Sequence, residues 1–130
     1  MRHRLYVHVT WTTRDREPRI DAPAAKILER LLPSIARQER AAVIELGIVR
    51  THVHVLMRLD PSTSIPRLMQ RLKGGSSALA NRELGTTMRI SLRWAKGYDL
   101  DSVSARALKA VQTYVRDQAI RHPQEAIPKR

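Results

Sequence analysis

Alternating apolar and polar positions open the chain. Between Leu5 and Thr13 the apolar side chains fall on one face and the polar ones on the other: Leu5, Val7, Val9 and Trp11 against Tyr6, His8 and Thr10. This period of two predicts a half-buried strand. After a charged loop, apolar residues recur at helical spacing from Ile27 to Ile35, which predicts a helix that Asp21 caps and that runs to about Arg40.

The middle of the chain reads as two strands and a second helix. Ala42 to Leu46 is predicted as a strand, Gly47 as a turn or bulge, and Ile48 to Leu59 as the next strand. Apolar residues at helical spacing then predict a helix from Ser64 to about Leu84, which Gly74-Gly75 interrupts.

The last third predicts one more strand and a helix. Met88, Ile90, Leu92 and Trp94 alternate, so residues 88–94 are predicted as the fourth strand, and Lys96 to Asp99 as a turn. Ser102 or Ser104 is expected to cap a helix of about 18 residues that Pro123 ends. Leu108, Val111, Val115 and Ala119 form its apolar stripe.

This order of elements predicts an α+β fold. Strand, helix, strand, strand, helix, strand is the ferredoxin-like βαββαβ pattern, an antiparallel sheet with helices on one face, here followed by a C-terminal helix. We expect residues 1–130 to form a single domain, with a disordered tail at residues 124–130.

Composition narrows the classes of function. The chain has 24 Lys and Arg, 19 of them Arg, against 12 Asp and Glu, a formal charge of +12. Arginine binds phosphate bidentately, so this excess favours a nucleic-acid partner over a membrane surface. The absence of cysteine excludes disulfides and thiolate sites, and no apolar run is long enough to span a membrane. We expect a cytoplasmic protein.

Two histidines on the third strand form a candidate metal site. His52 and His54 are two residues apart, so their side chains share one face of the strand. Two neutral imidazoles can supply half of a divalent-cation site. A pair of histidines on the wetter face of a half-exposed strand is the simpler interpretation of this motif taken alone.

The last helix supplies a phenol and a carboxamide. Tyr114 and Gln118 are four residues apart and therefore lie one turn apart on one face. If this helix packs on the histidine face, the Gln118 oxygen is a third ligand and Tyr114 a nucleophile. Nitrogen and oxygen ligands without sulfur suit Mg²⁺ or Mn²⁺. Taken singly, Tyr114 is equally an aromatic anchor, and Gln118 a solvent-facing helix former.

Basic residues along the chain are candidate contacts to a nucleic-acid backbone. Lys73 precedes two glycines, which permit a close approach to phosphate, although the same glycines equally suit a helix break. The complete candidate set is Arg14, Arg16, Arg50, Arg58, Arg67, Arg71 and Lys73.

These motifs together resemble a known family. His52-Val53-His54 resembles the His-hydrophobic-His signature of HUH endonucleases, and the whole chain resembles the single-tyrosine HUH transposases of small insertion sequences, the IS200-like transposases, whose relatives include the REP-associated tyrosine transposases. The similarity also rests on residues 7–16, 72–76, 94–98 and 102–104, and on Tyr114 with Gln118. The family usually has Asp or Asn where this chain has Thr51.

The resemblance implies an enzyme that cleaves and rejoins single-stranded DNA. Tyr114 would attack phosphorus with the help of a divalent cation, Mg²⁺ or Mn²⁺, to give a 5′-phosphotyrosine and a free 3′-OH. It further implies recognition of a DNA hairpin and a homodimer, with no small-molecule cofactor and no membrane partner.

Two other functions are compatible with the sequence. A domesticated relative would use the same chemistry to nick repeat elements of its host. A non-catalytic ferredoxin-like module would bind nucleic acid, usually by stacking bases on strand aromatics. The chain has no Phe, and Trp11 and Trp94 lie in the apolar phase of their predicted strands, which disfavours a stacking surface.

Overall fold

A computed structural model describes residues 3–85 and 91–128 of the chain. Four strands are found, namely β1 (Leu5–Thr12), β2 (Ala41–Ile48), β3 (His52–Leu59) and β4 (Asp99–Val103). The helices are α1 (Ala22–Gln38), α2 (Ile65–Gln70), α3 (Ser76–Leu84), α4 (Leu108–Arg116) and α5 (Gln118–Arg121). A π-helical turn, Arg71–Gly75, joins α2 to α3, so Gly74-Gly75 widens the predicted helix without ending it.

The four strands form one antiparallel sheet in the order β2-β3-β1-β4. This order and the sequence of strands and helices confirm the predicted α+β architecture. β3 lies between β1 and β2, and its residues are buried on both faces except Arg58. The histidine pair is therefore held in the most constrained strand of the sheet.

The two faces of the sheet pack against different helices. On one face, Val7, Val9 and Trp11 join Val53, Val55 and Met57 in the main core with α1, α2 and α3. On the other face, Leu56 and Val103 pack with Val115 of α4. Because side chains alternate along β3, His52 and His54 share the α4 face with Leu56. α4 therefore packs on the histidine face, which is the condition for Tyr114 and Gln118 to lie near the pair.

A side-chain hydrogen bond caps the start of α1, and a short turn precedes the start of β3. The Asp21 side chain accepts a hydrogen bond from the Ala24 amide at 2.9 Å, which confirms the predicted cap of α1. β3 begins at His52 and not at Ile48, because β2 continues to Ile48 and residues 49–51 form the turn that joins the two strands.

The prediction of a fourth strand at residues 88–94 is wrong for its described part. Residues 86–90 lie outside the described residues, and residues 91–94 contain only an isolated bridge between Trp94 and Thr13. Leu92 is buried, but its backbone amide and carbonyl both form hydrogen bonds with the Asn81 side chain and not with a strand. The apolar character of Leu92 thus reflects burial without strand pairing.

The true fourth strand, β4, occupies residues predicted as a turn and a helix cap. It is an edge strand beside β1, and three of its five residues are exposed. Asp99, Asp101 and Ser102 are the exposed residues, so the strand lacks the apolar alternation by which a half-buried strand is recognised.

The predicted long C-terminal helix is broken into three pieces. Ser104, one of the two predicted caps, caps a 3₁₀ turn at Ala105–Ala107. α4 follows this turn and ends at Arg116. Asp117 leaves helical geometry with φ −94° and ψ 23°, and α5 follows it. Because of this break Ala119 is exposed and does not continue the apolar stripe.

The tail also departs from the predicted disorder. Pro123–Glu125 forms a 3₁₀ turn that packs near the start of β3, where Arg50 donates its backbone amide to the Glu125 carbonyl at 2.8 Å. Residues 129 and 130 lie outside the described residues. In the part of the chain that the structure describes, no helix has the length and apolar character needed to cross a bilayer.

Candidate active site

The histidine pair is buried beneath α4 at the start of β3. His52 is 6% and His54 7% exposed, and their ring centroids lie 5.0 Å apart at an interplanar angle of 72°. A nitrogen-bound cation lies roughly 3 Å from the centroid of its imidazole ligand. Two rings at this separation can therefore share one cation.

His54 is held by two side chains of β1. Its Nδ1 lies 2.8 Å from Nε2 of His8 and 3.1 Å from the Thr10 hydroxyl. The β1–β3 register accounts for both contacts, because Thr10 is directly opposite His54 and His8 is two residues further along the same face. Burial is the main cause that lowers the pKa of His54 to about 3, and three neighbouring imidazoles add to it. His54 is therefore neutral near pH 7, as a metal ligand must be.

His52 is held by the C-terminal turn. Its Nδ1 lies 3.0 Å from the Thr51 hydroxyl and 3.3 Å from Oε2 of Glu125, and Thr51 donates a hydrogen bond to the same carboxylate oxygen. Burial lowers the pKa of His52, while the negative charge of Glu125 opposes this shift. The hydrogen bond from Thr51 in turn lowers the pKa of Glu125.

Tyr114 lies directly over the histidine face. Its ring centroid is 5.8 Å from that of His54 and 6.0 Å from that of His8, in edge-to-face arrangements. The side chain is 37% exposed, so an incoming substrate can reach the phenol. Arg121 stacks on the ring, with Cζ 4.9 Å from the centroid, which adds a positive charge beside the phenol.

A close backbone approach positions this helix. Gly47 of β2 packs against the end of α4, where an added Cβ would lie 2.0 Å from the Val115 carbonyl oxygen and 2.9 Å from Cγ of Gln118. Gly47 is paired with His54 in the sheet. The glycine predicted as a turn or bulge therefore lies within a strand, where it lets the helix approach the histidines.

Gln118 is buried and not solvent-facing, with 1% of its surface exposed. Its Nε2 donates a hydrogen bond to the Tyr114 carbonyl at 3.0 Å. The amide nitrogen must face that carbonyl, so the orientation of the carboxamide is fixed. Its Oε1 is buried without a hydrogen-bond partner of ordinary geometry, although the side chain is close enough to His52 to raise the pKa of that histidine.

These donors fit a divalent cation. Both histidines make the contacts described above through Nδ1, which leaves Nε2 of each available to a cation. The Oε1 of Gln118 is buried beside His52 without a hydrogen bond of ordinary geometry, and such a buried oxygen could serve as a third donor to a cation. Among the described residues no group of three or more His, Cys, Asp or Glu side chains is arranged for a metal, so a third protein ligand beside the two histidines would come from a residue of another type, such as Gln118.

The candidate DNA contacts do not form one patch. Arg14 and Arg16 lie in the turn after β1, near the start of β3, and Arg16 forms an ion pair with Glu125 at 3.3 Å. Arg58 is exposed near the opposite end of β3. The others have partners within the fold: Arg67 and Arg71 pair with Glu39, Arg50 donates to the Gln124 carbonyl, and Lys73 donates to the carbonyls of Ala95 and Gly97.

Three residues at the site carry no recognisable motif in the sequence. The alternation along β1 puts His8 and Thr10 on the same face of that strand. The pairing of β1 with β3 is needed to show that this face is the one that carries His52 and His54. Arg121 and Glu125 follow the break at Asp117, which no sequence pattern indicated. Their positions depend on contacts between distant parts of the chain.

Comparison with known proteins identifies the family to which this chain is similar. A family model described as "Transposase IS200 like" matches residues 1–118. The ISDra2 transposase TnpA of Deinococcus radiodurans is 27% identical over 119 residues, which cover 89% of this chain and 85% of the relative. The transposase of insertion sequence element IS200 from Salmonella typhimurium is 23% identical over 115 residues, which cover 85% of this chain and 74% of that protein.

Two solved structures share the fold. A putative transposase from Deinococcus radiodurans R1 superposes with a TM-score of 0.70 at 25% identity, covering 91% of this chain and 93% of the other. A REP-associated tyrosine transposase bound to a REP hairpin gives a TM-score of 0.69 at 11% identity, covering 94% and 72%. Because its identity is only 11%, the similarity to the REP-associated transposase shows a shared fold and nothing more.

Proposed function

Because the chain belongs to the IS200-like transposase family, we propose that it cleaves and rejoins single-stranded DNA by using Tyr114 as nucleophile and a divalent cation at His52, His54 and Gln118. One observation carries the proposal. The exposed phenol of Tyr114 lies over a buried pair of histidines, with its ring 5.8 Å from that of His54, inside one chain. Neither an aromatic anchor nor a surface histidine pair requires this arrangement.

The proposed reaction exchanges one phosphorus–oxygen bond for another. The Tyr114 oxygen attacks phosphorus as the bond from phosphorus to the 3′ oxygen breaks, which gives a 5′-phosphotyrosine and a free 3′-OH. The phenol loses a proton and the departing 3′ oxygen gains one. Attack of a 3′-OH on the phosphotyrosine reverses the step, so strands are rejoined without an external energy source.

The residues of this chain have separate tasks in that reaction. Nε2 of His52 and of His54 and Oε1 of Gln118 hold the cation, which when bound neutralises charge on the phosphate and orients the scissile bond. Two imidazoles favour Mn²⁺ over Mg²⁺, since Mg²⁺ strongly prefers oxygen. Arg121 supports the Tyr114 ring and supplies positive charge where the phosphate must lie.

The substrate we propose is a single strand folded into a hairpin. The net charge of +12 supports an anionic polymer as partner. Arg14 and Arg16 lie at the histidine end of the sheet and are exposed, so they are the best placed of the candidate residues to contact the backbone beside the cleavage site. A protein of the same fold has been solved with a REP hairpin, which makes a hairpin the appropriate probe.

A covalent-adduct assay tests the proposal. The protein is mixed with end-labelled single-stranded hairpins from its own flanking DNA and with Mn²⁺ or Mg²⁺, and an SDS-resistant protein–DNA band is sought. We expect a band that EDTA, Tyr114→Phe and His52→Ala each abolish. The matched control is Tyr98→Phe, because Tyr98 is similarly exposed but lines a pocket with Met69, which belongs to the main core on the other face of the sheet.

Two results of this assay would refute parts of the proposal. Salt-sensitive hairpin binding without an adduct for any hairpin or cation would refute the reaction and leave a DNA-binding protein of the same fold. An adduct that survives Tyr114→Phe would refute the assignment of the nucleophile.

We further propose that the protein acts as a homodimer. β2 and β4 are the edge strands of the sheet, and an edge strand offers unpaired backbone groups to a second copy. Light scattering at micromolar concentration is the test, and a purely monomeric profile would refute this part of the proposal.

A further inference from the structure

The C-terminal turn brings a carboxylate to the first histidine of the pair. Oε2 of Glu125 lies 3.3 Å from Nδ1 of His52. The Thr51 hydroxyl donates a hydrogen bond to the same oxygen and lies 3.0 Å from the same nitrogen. Carboxylate, hydroxyl and imidazole therefore form a closed triangle on the side of the ring away from Nε2.

The fold holds this carboxylate in place from several directions. The Arg50 amide donates to the Glu125 carbonyl at 2.8 Å, and the Arg50 guanidinium donates to the carbonyl of the preceding residue, Gln124. The Glu125 amide donates to the His122 carbonyl at 2.9 Å, and Arg16 pairs with the carboxylate at 3.3 Å. Glu125 is thus fixed by its backbone as well as by its side chain.

The proton arrangement follows from the chemistry of the groups. An ionised carboxylate can only accept hydrogen bonds, so the nitrogen that faces it must carry the proton. With the proton on Nδ1, the lone pair of neutral His52 is on Nε2. In an imidazole without such a partner, no hydrogen bond to a carboxylate fixes the tautomer or the orientation of the ring.

We propose that Glu125, assisted by Thr51, is a positioning residue that fixes His52 as the Nδ1–H tautomer and orients its Nε2 toward the cation. This inference rests on the proposed function for its purpose, since a cation at His52 is what the orientation serves. It extends the site beyond residues 1–118, the part of the chain that the family model matches. The segment from Tyr114 to Glu125 then supplies nucleophile, oxygen donor and orienting carboxylate together.

The tautomer can be measured without DNA and without a metal. In EDTA at pH 7.5, long-range ¹H–¹⁵N correlation spectra of the full chain distinguish Nδ1–H from Nε2–H imidazoles. We expect His52 to be Nδ1–H in the wild type and to lose this preference in Glu125→Ala. The matched control is Glu83→Ala, which removes a carboxylate whose ion pair with Arg30 is exposed and remote from the histidines.

Cation affinity is the second measurement. Free Mn²⁺ is followed by EPR during titration of the DNA-free protein. Removing a hydrogen-bond partner of a ligating histidine typically weakens metal binding 10- to 100-fold, and we expect a loss of about this size in Glu125→Ala. Glu125→Gln keeps an acceptor oxygen and should lose less. Glu83→Ala should bind as the wild type does, and saturating Mn²⁺ should restore adduct formation by Glu125→Ala.

Two results would overturn the inference: an Nε2–H tautomer of His52 in the wild type, which needs no variant, or wild-type Mn²⁺ affinity in a folded Glu125→Ala protein. Circular dichroism establishes the folding of each variant. The outcome is separate from that of the proposed reaction. A wild-type protein that forms no adduct, but whose His52 tautomer and Mn²⁺ affinity depend on Glu125, would refute the reaction and support the positioning role.

Discussion

The burial of His54 predicts a protein that becomes less stable in mild acid. The pKa of this histidine is about 3 in the folded protein, against an ordinary value of 6.5. Between these values the unfolded chain binds a proton that the folded chain does not, so the free energy of unfolding decreases as the pH falls. Keeping this imidazole buried and neutral thus costs stability in acid.

The magnitude follows from the two pKa values. Well below pH 6.5, each unit by which the pH falls lowers the free energy of unfolding by about 1.4 kcal/mol for one such group. Between pH 7.5 and pH 5.0, where the unfolded side chain becomes almost fully protonated, His54 alone should remove about 2 kcal/mol from the free energy of unfolding. The pKa values of His8 and His52 are also lowered, so these residues add to the loss in the same direction.

The test compares the wild type with His54→Asn, which keeps a polar amide near His8 and Thr10 but does not titrate. Urea unfolding is measured in EDTA at pH 7.5, 6.5, 5.5 and 5.0, and the loss between the extremes is the quantity compared. We expect the loss in the variant to be smaller by about 2 kcal/mol. Equal losses in the two proteins would refute the reasoning, whatever their stabilities at pH 7.5.

Three further predictions concern packing and the cation. Gly47→Ala, whose Cβ would lie 2.0 Å from the Val115 carbonyl oxygen, should lower the free energy of unfolding by about 1–3 kcal/mol and reduce adduct formation, whereas Gly74→Ala, with no atom within 4 Å of its Cβ, should not. Lys73→Met should lower the free energy of unfolding by about 1 kcal/mol in urea, because the part-buried Ala95 carbonyl loses its donor while the exposed Gly97 carbonyl can bind water instead. Mn²⁺ should raise the Tm of the wild type in calorimetry and leave that of His52→Ala unchanged.

Local periodicity was sufficient to predict the parts of the fold that carry the histidines. β1 and β3 have regular alternation because each has one face in the main core, and this alone places His52 and His54 on a common face. The spacing of Tyr114 and Gln118 predicted that the two share one side of a helix, and placed both near the pair only if that helix packs on the histidine face. The common face of the two histidines is contained in a local pattern, whereas the approach of the helix depends on the distant Gly47.

The errors occurred where tertiary contacts replace the local pattern. β4 is stabilised by pairing with β1 although Asp99 and Asp101 are exposed, so it has no apolar period to detect. Leu92 has the apolar character of a strand residue, but its backbone is bound by Asn81. The break at Asp117 removes the exposed Ala119 from the predicted apolar stripe, and no residue near it in sequence indicated this.

The two halves of the candidate site therefore differ in how firmly the fold holds them. The histidines lie on β3, which is paired along both edges and buried on both faces. Tyr114 and Gln118 lie on a short, interrupted helical segment, whose position depends on the close packing at Gly47 and on the hydrogen bonds of Glu125 to the start of β3. Local opening costs least where buried contacts are few. A larger side chain at Gly47 should therefore reduce the reaction before it unfolds the sheet, because it moves Tyr114 and Gln118 away from a histidine pair that stays in place.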